Sequence, residues 1–248
     1  MTPLALALEL DGGSASIEVD LPDGPQPAEA LLPAMYAVDD RVIAATVAAQ
    51  PRSVTCRKGC SACCRAQPVP VTPAEARALA AWVDAQAPAR RDELRARFAD
   101  RVARLDAAGL RPRLDGRAPP RSAADARAIA AEYLQLGLVC PFLDDDACSV
   151  HEHRPFVCRQ YLVTSPAEAC TDPLARPVAV VQLPIRPAHA LLEATRNCDE
   201  APPRTLPLVL ARVHADTAPA APRQDAARTF TRWLSALAGG RAGDPPIR

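Results

Sequence analysis

A chain of 248 residues, 49% of them apolar, is long enough for a substantial hydrophobic core and is not disordered in composition. Its 29 acidic and 29 basic residues balance, which argues against nucleic acid or an anionic membrane surface as a partner and leaves a protein partner open. No apolar run is long enough to span a membrane, and residues 1–20 lack the basic start of a signal peptide, so we expect a cytoplasmic protein.

The first part of the chain predicts a β-hairpin followed by a helix. Apolar residues alternate with small or polar ones on both sides of a glycine-containing turn, so we assign residues 1–22 to an N-terminal hairpin. Over residues 28–49 the apolar positions recur every three or four residues, which predicts an amphipathic helix. Asp39, Asp40 and Arg41 lie off its apolar stripe, and we interpret them as a solvent-exposed patch.

Start and stop signals predict the next helices. Thr72 and Glu75 have the spacing of a capping box and open a helix, and a second helix follows it. We predict a loop over residues 111–121, which are rich in Pro, Arg and Gly. Ser122 is then expected to cap a further helix that stops at Gly137.

The remaining elements complete a mainly α fold. Helical patterns recur over residues 188–197, 206–214 and 224–237. We therefore predict a single helical domain over residues 28–238, in which loops build a cysteine-rich metal site with its core at 55–170. Residues 239–248 are expected to form a flexible tail.

The cysteines are the residues that indicate a chemical function for this chain. Four of the nine fall within nine consecutive positions, at Cys56, Cys60, Cys63 and Cys64. Thiolates this close repel one another, so they indicate a metal ion or cluster that neutralises them. Two alternatives are thiols that pack as small buried hydrophobes and a redox dithiol at Cys60 and Cys63, but the dithiol leaves the other cysteines unexplained.

A second set of motifs lies downstream, and the two sets together resemble a known family. The motifs are Cys60-x-x-Cys63-Cys64, Cys140-Pro-Phe-Leu, Cys148, Arg154-Pro155 and Cys158-Arg159-x-Tyr161. They resemble the YkgJ-like cysteine-cluster family, whose domain is described as zinc- or iron-chelating. The chain departs from that family in having three residues between Cys56 and Cys60 instead of two, and His151 in place of an aromatic residue. The resemblance implies a bound metal or iron–sulfur cluster, and some relatives resemble flagellin lysine methylases.

We expect the metal ligands to come from both cysteine segments. The candidate ligands are Cys56, Cys60, Cys63, Cys64, Cys140, Cys148, Cys158 and Cys170. They could share one cluster with a spare thiol, or hold two ions with four ligands each. An iron–sulfur cluster is slightly preferred over zinc, because the ligands are soft and Cys140-Pro141 resembles the cysteine-proline step of bacterial ferredoxins.

Residues around the second segment are candidates for supporting the cofactor. Arg154 and Arg159 could offset thiolate charge or donate hydrogen bonds to sulfur, or could instead pair with the acidic run at 144–146. Tyr161 is expected to shield the site from water. His151 and His153 are interpreted as neighbours of the site, with zinc ligation as the alternative, and Cys198 as structural.

Three hypotheses about function follow. The first is a metal-binding protein that serves electron transfer, metal handling or cluster-dependent modification. The second is a cluster-dependent enzyme, similar to a protein lysine methylase or an oxidoreductase, which needs an open coordination position or a cavity beside the metal. The third is a zinc-stabilised scaffold for partner proteins, in which every ligand position is closed.

Overall fold

Helices dominate the fold. The computed structural model describes residues 1–10, 13–196 and 204–239. Within these ranges the α-helices are α1 Leu32–Ala48, α2 Pro73–Asp84, α3 Pro88–Ala107, α4 Arg111–Leu114, α5 Ala123–Gln135, α6 Phe156–Gln160, α7 Pro187–Ala194, α8 Ala211–Thr217 and α9 Ala226–Gly239. The prediction of a mainly α fold is confirmed.

The strands are few and all pair antiparallel. Strands β1 (Thr2–Leu10) and β2 (Gly13–Leu21) form the predicted N-terminal hairpin, in a register that pairs Thr2 with Leu21. The other described strands have two residues each and are β3 Pro25–Gln26, β4 Pro70–Val71, β5 Leu143–Asp144, β6 Ala147–Cys148, β7 Leu206–Pro207 and β8 Gln224–Asp225. They pair as β3–β8, β4–β7 and β5–β6, and two of these pairs join segments far apart in sequence.

The predicted caps are present. Thr72 and Glu75 form a full capping box at the start of α2, in which each side chain bonds the backbone N–H of the other residue. Ser122 accepts a hydrogen bond from the N–H of Asp125 at the start of α5. Gly137, with φ of +55°, follows the end of that helix, where glycine adopts the left-handed conformation without a Cβ clash.

Three predicted elements differ from the structure, and one is the helix at 224–237, where Gln224 and Asp225 form β8 and α9 starts at Ala226. The predicted loop at 111–121 contains the short helix α4, because Leu110 and Arg111 start a helical turn and Pro112 is tolerated in its first turn. The predicted helix at 206–214 starts later, since Leu206 and Pro207 pair with the strand before α2. Of the predicted tail at 239–248, only Gly239 lies within the described residues, as the end of α9.

Two hydrophobic clusters form the core. The first joins α2, α3 and α5 with the segment around α8, and includes Phe98, Tyr133 and Phe142. The second joins the hairpin with α1, α7 and α9, and includes Phe156 and Trp233. Helix α2 contributes to both, with Leu79 in the first cluster. Among the helices described, none has the length and apolar character needed to cross a membrane.

Candidate metal centre

The first cysteine segment is a loop shaped by two tight turns. Gly59 has φ of +82°, and the N–H of Cys60 donates to the carbonyl oxygen of Arg57 at 2.9 Å. A short 3₁₀ helix then runs over Cys63–Arg65. The glycine is needed between the first two cysteines because a side chain would be strained in that backbone conformation.

The two cysteine segments meet through the backbone. The N–H of Cys140 donates to the carbonyl oxygen of Cys64 at 2.7 Å, although helices α2 to α5 lie between them in sequence. The hydroxyl of Ser61 donates to Asp146 at 2.5 Å, and Arg65 forms an ion pair with the same carboxylate. These contacts fix the main chain of one segment against that of the other.

Cys148 lies on a two-stranded hairpin, β5–β6. Its loop residues Asp145 and Asp146 have φ of +43° and +62°, the left-handed pair of a type I′ turn. The ladder contains two residue pairs, with Leu143 opposite Cys148 and Asp144 opposite Ala147.

Arginines of α3 hold this hairpin in place. Asp144 forms ion pairs with Arg90 and with Arg97, the latter at 2.7 Å. Asp144 is therefore paired with Arg90 and Arg97, and Asp146 with Arg65. Among the described residues, no ion pair joins Arg154 or Arg159 to the acidic run at 144–146.

Helix α6 carries Cys158, and a buried carboxylate fixes its first turn. One oxygen of Glu75 accepts from the N–H of Phe156 at 2.7 Å, and the other accepts from the N–H of Thr72 at 2.8 Å. Glu75 therefore caps α2 and α6 together. Burial raises the pKa of Glu75, and these hydrogen bonds partly offset that rise.

Cys170 and Cys56 are linked to the same region by polar side chains. Cys170 is buried in a short 3₁₀ helix, and Gln67 donates both to its carbonyl oxygen at 2.8 Å and to the hydroxyl of Tyr161 at 3.3 Å. Thr55, beside Cys56, donates its N–H to the carbonyl oxygen of Val163 at 2.9 Å. Both ends of the candidate ligand set thus lie along the segment that follows α6.

The thiols influence one another's ionisation. Burial raises the pKa of Cys140 to about 12, and negative charge on Cys148 and Cys63 adds to the shift. Burial also raises the pKa of Cys158, with contributions from Cys140, Cys63 and Cys148. Cys63 contributes in the same way to Cys170. The charge of Cys63 therefore acts on thiols of the downstream segment, and a bound cation must displace protons from this set.

The donor set fits a soft metal, although its coordination geometry is not preformed. Among the described residues, eight cysteines are free thiols, one buried and the others half-buried. Over the part of the chain that the structure describes, no three or more Cys, His, Asp or Glu side chains are already arranged as a metal site. Thiolate donors suit zinc or an iron–sulfur cluster, and binding either one would draw the sulfur atoms closer together.

The three residues expected beside the cofactor are divided between two locations. Arg159 is 6% exposed, and one of its guanidinium nitrogens donates to both carboxylate oxygens of Asp40, at 2.8 and 2.7 Å. Its guanidinium also lies over the ring of Tyr36, 4.2 Å from the ring centroid. Arg154 donates to the carbonyl oxygen of His151. Tyr161 instead lies beside Gln67 and Cys170, on the side of the thiols.

A cavity of about 710 Å³, which we call the α6 cavity, lies on the side of α6 that faces α1. Arg154, Arg159, Tyr36 and Asp40 line it, and Tyr161 does not. His151 and His153 are exposed residues at its edge. The cavity borders the helix that carries a candidate ligand, and it has the volume of a small-molecule site.

The prediction that Asp39 belongs to a solvent-exposed patch is wrong. Its side chain is fully buried, and Gln160 of α6 donates to one carboxylate oxygen at 2.7 Å. Burial raises the pKa of Asp39 to about 7. The helical pattern of α1 placed this residue off the apolar stripe, but α6 packs over that face of the helix.

Several residues that support the site carried no sequence signal for that role. Gln67 holds neighbouring segments through two hydrogen bonds and Gln160 through one, all to residues distant in sequence. Glu75 was recognisable as a cap of α2, but its bond to α6 depends on tertiary packing. Cys198 lies outside the described residues.

Comparison with known proteins identifies the cysteine region. Residues 55–174 match the family model CxxCxxCC, whose description is "Putative zinc- or iron-chelating domain". No curated protein and no solved structure matches the chain. The match supports the resemblance to a cysteine-cluster family over residues 55–174.

Proposed function

We propose that this protein binds an iron–sulfur cluster, in preference to zinc, where its two cysteine segments meet. The centre would serve electron transfer, metal handling or cluster-dependent modification. The preference for a cluster depends on the soft ligands and on the Cys140-Pro141 step. Metal chelation as such is the described property of the family whose model matches residues 55–174.

One observation carries the proposal. The hydrogen bond from the N–H of Cys140 to the carbonyl oxygen of Cys64 brings the two segments together at the cysteines themselves. The effect of Cys63 on the pKa of Cys140 and on that of Cys158 supports a shared position for the thiols. Thiols brought together from distant segments suit a chain that acquires a cation on folding.

The experiment is anaerobic purification followed by metal and sulfide analysis and a visible absorption spectrum. A brown protein with stoichiometric iron and labile sulfide supports the cluster. A colourless protein with stoichiometric zinc overturns the preference for iron. A protein that binds neither metal, and whose Cys63 and Cys64 react freely with an alkylating reagent, overturns the metal centre itself.

A matched pair of variants tests the shared position. Cys63→Ser removes the thiol that affects both segments, so most of the bound metal should be lost. Cys198→Ser makes the same chemical change outside the family match and should retain wild-type metal content. Equal metal loss in the two variants would contradict a site built around Cys63.

A second candidate function is a cluster-dependent enzyme, and the α6 cavity is the observation that favours it. The cavity is lined by Arg154 and Arg159 and borders the helix of Cys158. An enzyme of this kind needs an open coordination position, whereas an electron-transfer centre or a zinc-stabilised scaffold has its ligand positions closed.

Binding of an added small ligand distinguishes a metal centre with an open coordination position from a closed one. Cyanide added to the anaerobic metal-loaded protein should change the visible or electron paramagnetic resonance spectrum if a coordination position is open. An unchanged spectrum, with the metal retained, indicates a closed centre and removes the basis for the enzyme.

A further inference from the structure

A second cavity, of about 760 Å³, lies away from the thiols, and we call it the α8 cavity. Its described lining includes residues of α2, α4, α7 and α8 and of the segment before β8, and contains no cysteine. It shares none of its described lining residues with the α6 cavity. Its volume falls within the range of small-molecule sites, about 300–1,000 Å³.

The polar wall of the α8 cavity is strongly basic. One acidic residue, Asp115, lines it among the residues described. Five arginines line it, namely Arg77, Arg111, Arg117, Arg196 and Arg204. A cavity with an excess of one sign of charge concentrates ligands of the opposite sign.

Among the arginines that line the α8 cavity, Arg204 is the one whose charge is least neutralised by carboxylates. Arg77, Arg111, Arg117 and Arg196 each form an ion pair with a carboxylate. The hydrogen bonds that Arg204 makes to described residues go to the carbonyl oxygens of Gly116 at 2.9 Å and Asp115 at 2.6 Å. Gly116 makes room for it, because a Cβ there would lie 1.6 Å from the guanidinium. The guanidinium is therefore positioned by neutral groups and keeps its charge for a ligand.

Two buried nitrogen atoms of the lining have no hydrogen-bond partner within the described parts of the chain. They are Nε2 of His214 and Nε of Arg111. Buried polar atoms without partners are rare in folded proteins, and an absent ligand is one of their causes. Burial lowers the pKa of His214, and the charges of Arg77 and Arg204 lower it further, so both guanidiniums lie near this imidazole.

Most of the remaining lining residues are apolar. Leu192, Leu206, Leu210 and Val213 contribute side chains to the lining. A ligand that fills the cavity therefore needs an apolar body as well as an anionic head.

We propose that the α8 cavity binds a small organic anion, with His214 and Arg204 at its phosphate or carboxylate head and the leucines and Val213 around its apolar body. Arginine suits both heads because its planar guanidinium bonds two oxygen atoms at once. The site is independent of the metal centre and does not rest on the function proposed for it.

Calorimetric titration of the full-length, metal-loaded protein tests the site. The probes are phenyl phosphate, benzoate and inorganic phosphate. Phenyl phosphate or benzoate should bind more tightly than inorganic phosphate, since only the first two have an apolar body, and the tighter of the two identifies the head. Failure of both aromatic probes to bind at millimolar concentration overturns the proposal.

Matched variants locate the binding. Arg204→Gln and His214→Gln should each weaken binding of the tighter probe about tenfold, the loss expected for one charge-assisted hydrogen bond. Arg127→Gln makes the same charge change as Arg204→Gln on an exposed face of α5 outside the cavity and should bind like the wild type. Equal affinity in all three variants places the probe elsewhere and overturns the site.

Proton NMR of the wild-type protein tests the same site without any substitution, so the test still works if a variant fails to fold. The four histidines of the wild-type chain give separate imidazole signals in proton NMR. Addition of the tighter probe should shift one of them, and the His214→Phe spectrum assigns it. A titration in which no histidine signal moves contradicts the site, and unchanged metal content throughout keeps this result separate from the fate of the metal centre.

Discussion

Single buried carboxylates determine how α6 is placed, and Asp39 is the least expected of them. It is fully buried, and one of its oxygens, Oδ2, has no hydrogen-bond partner among the described residues. The side-chain amide of Gln160 donates a hydrogen bond to the other oxygen. Burial penalises the charged form more than this one hydrogen bond stabilises it, which is why the pKa of Asp39 rises to about 7.

Asp39→Asn should remove a pH dependence of stability. The folded carboxyl holds its proton up to about pH 7, whereas the unfolded one releases it near its ordinary value of 3.8. Between these values the folded state binds more protons, so the free energy of unfolding falls as pH rises, by up to about 1.4 kcal/mol per pH unit. Asparagine stays neutral, so the variant should be more stable than the wild type near neutral pH.

Urea unfolding at several pH values between about 5 and 8 measures this slope. Asp92→Asn makes the same change at an exposed position of α3 and should retain the wild-type slope. A wild-type slope in Asp39→Asn would show that Asp39 is ionised in the folded protein.

Among the elements, the smallest hold the two cysteine segments together. The hairpin β5–β6 has only two residue pairs, yet its loop residue Asp146 contacts Ser61 and Arg65 of the first segment. The loop also requires left-handed backbone at both positions. The loop residues therefore have to adopt the left-handed conformation and also provide the carboxylate that contacts Ser61 and Arg65.

Two substitutions of Asp146 separate these requirements. Asp146→Gly keeps the left-handed conformation and removes the carboxylate, so any loss of metal content or thermal stability reports the contact with Ser61 and Arg65. Asp146→Ala also removes the carboxylate but is strained at φ of +62°, so it should melt several degrees lower than the glycine variant. Equal melting temperatures in the two would contradict the left-handed turn.

Glu75→Ala should destabilise α2 and α6 together. It leaves the buried N–H groups of Thr72 and Phe156 without their acceptor, a loss of about 2–5 kcal/mol in the free energy of unfolding. Glu75→Gln retains one acceptor oxygen and should lose less. Urea unfolding measures both, and an equal loss in the two variants would show that the negative charge matters rather than the acceptors.

At the scale of the whole molecule, the cysteines lie between parts of the fold that have their own hydrophobic clusters. Cys140 and Cys148 pack against the cluster of α2, α3 and α5. Phe156, two residues before Cys158, belongs to the cluster of the hairpin, α1, α7 and α9. A metal held by thiols from both sides would therefore fasten the two clusters to each other.

Removal of the metal should loosen the cysteine segments while the second cluster stays folded. Hydrogen exchange measured by mass spectrometry, with and without chelator, should show faster exchange over residues 55–67 and 139–171. Peptides from α7 and α9 should change little, because their packing, including Phe230 and Trp233, does not involve the thiols. Uniformly faster exchange along the chain would show that the metal is needed for the whole fold.

The sequence by itself determined the features that depend on neighbouring residues. The capping box at Thr72, the cap at Ser122 and the helical period of α1 were all readable, because each results from contacts within one or two turns. The spacing of the cysteines also sufficed to recognise the family.

Tertiary structure alone decided which of these residues meet. The burial of Asp39, the second capping role of Glu75 and the separation of Tyr161 from Arg159 all depend on where α6 packs. The same is true of the bond between Cys140 and Cys64 and of the basic lining of the α8 cavity. Contacts between residues far apart in sequence follow from the packing of whole helices, and no local pattern encodes that packing.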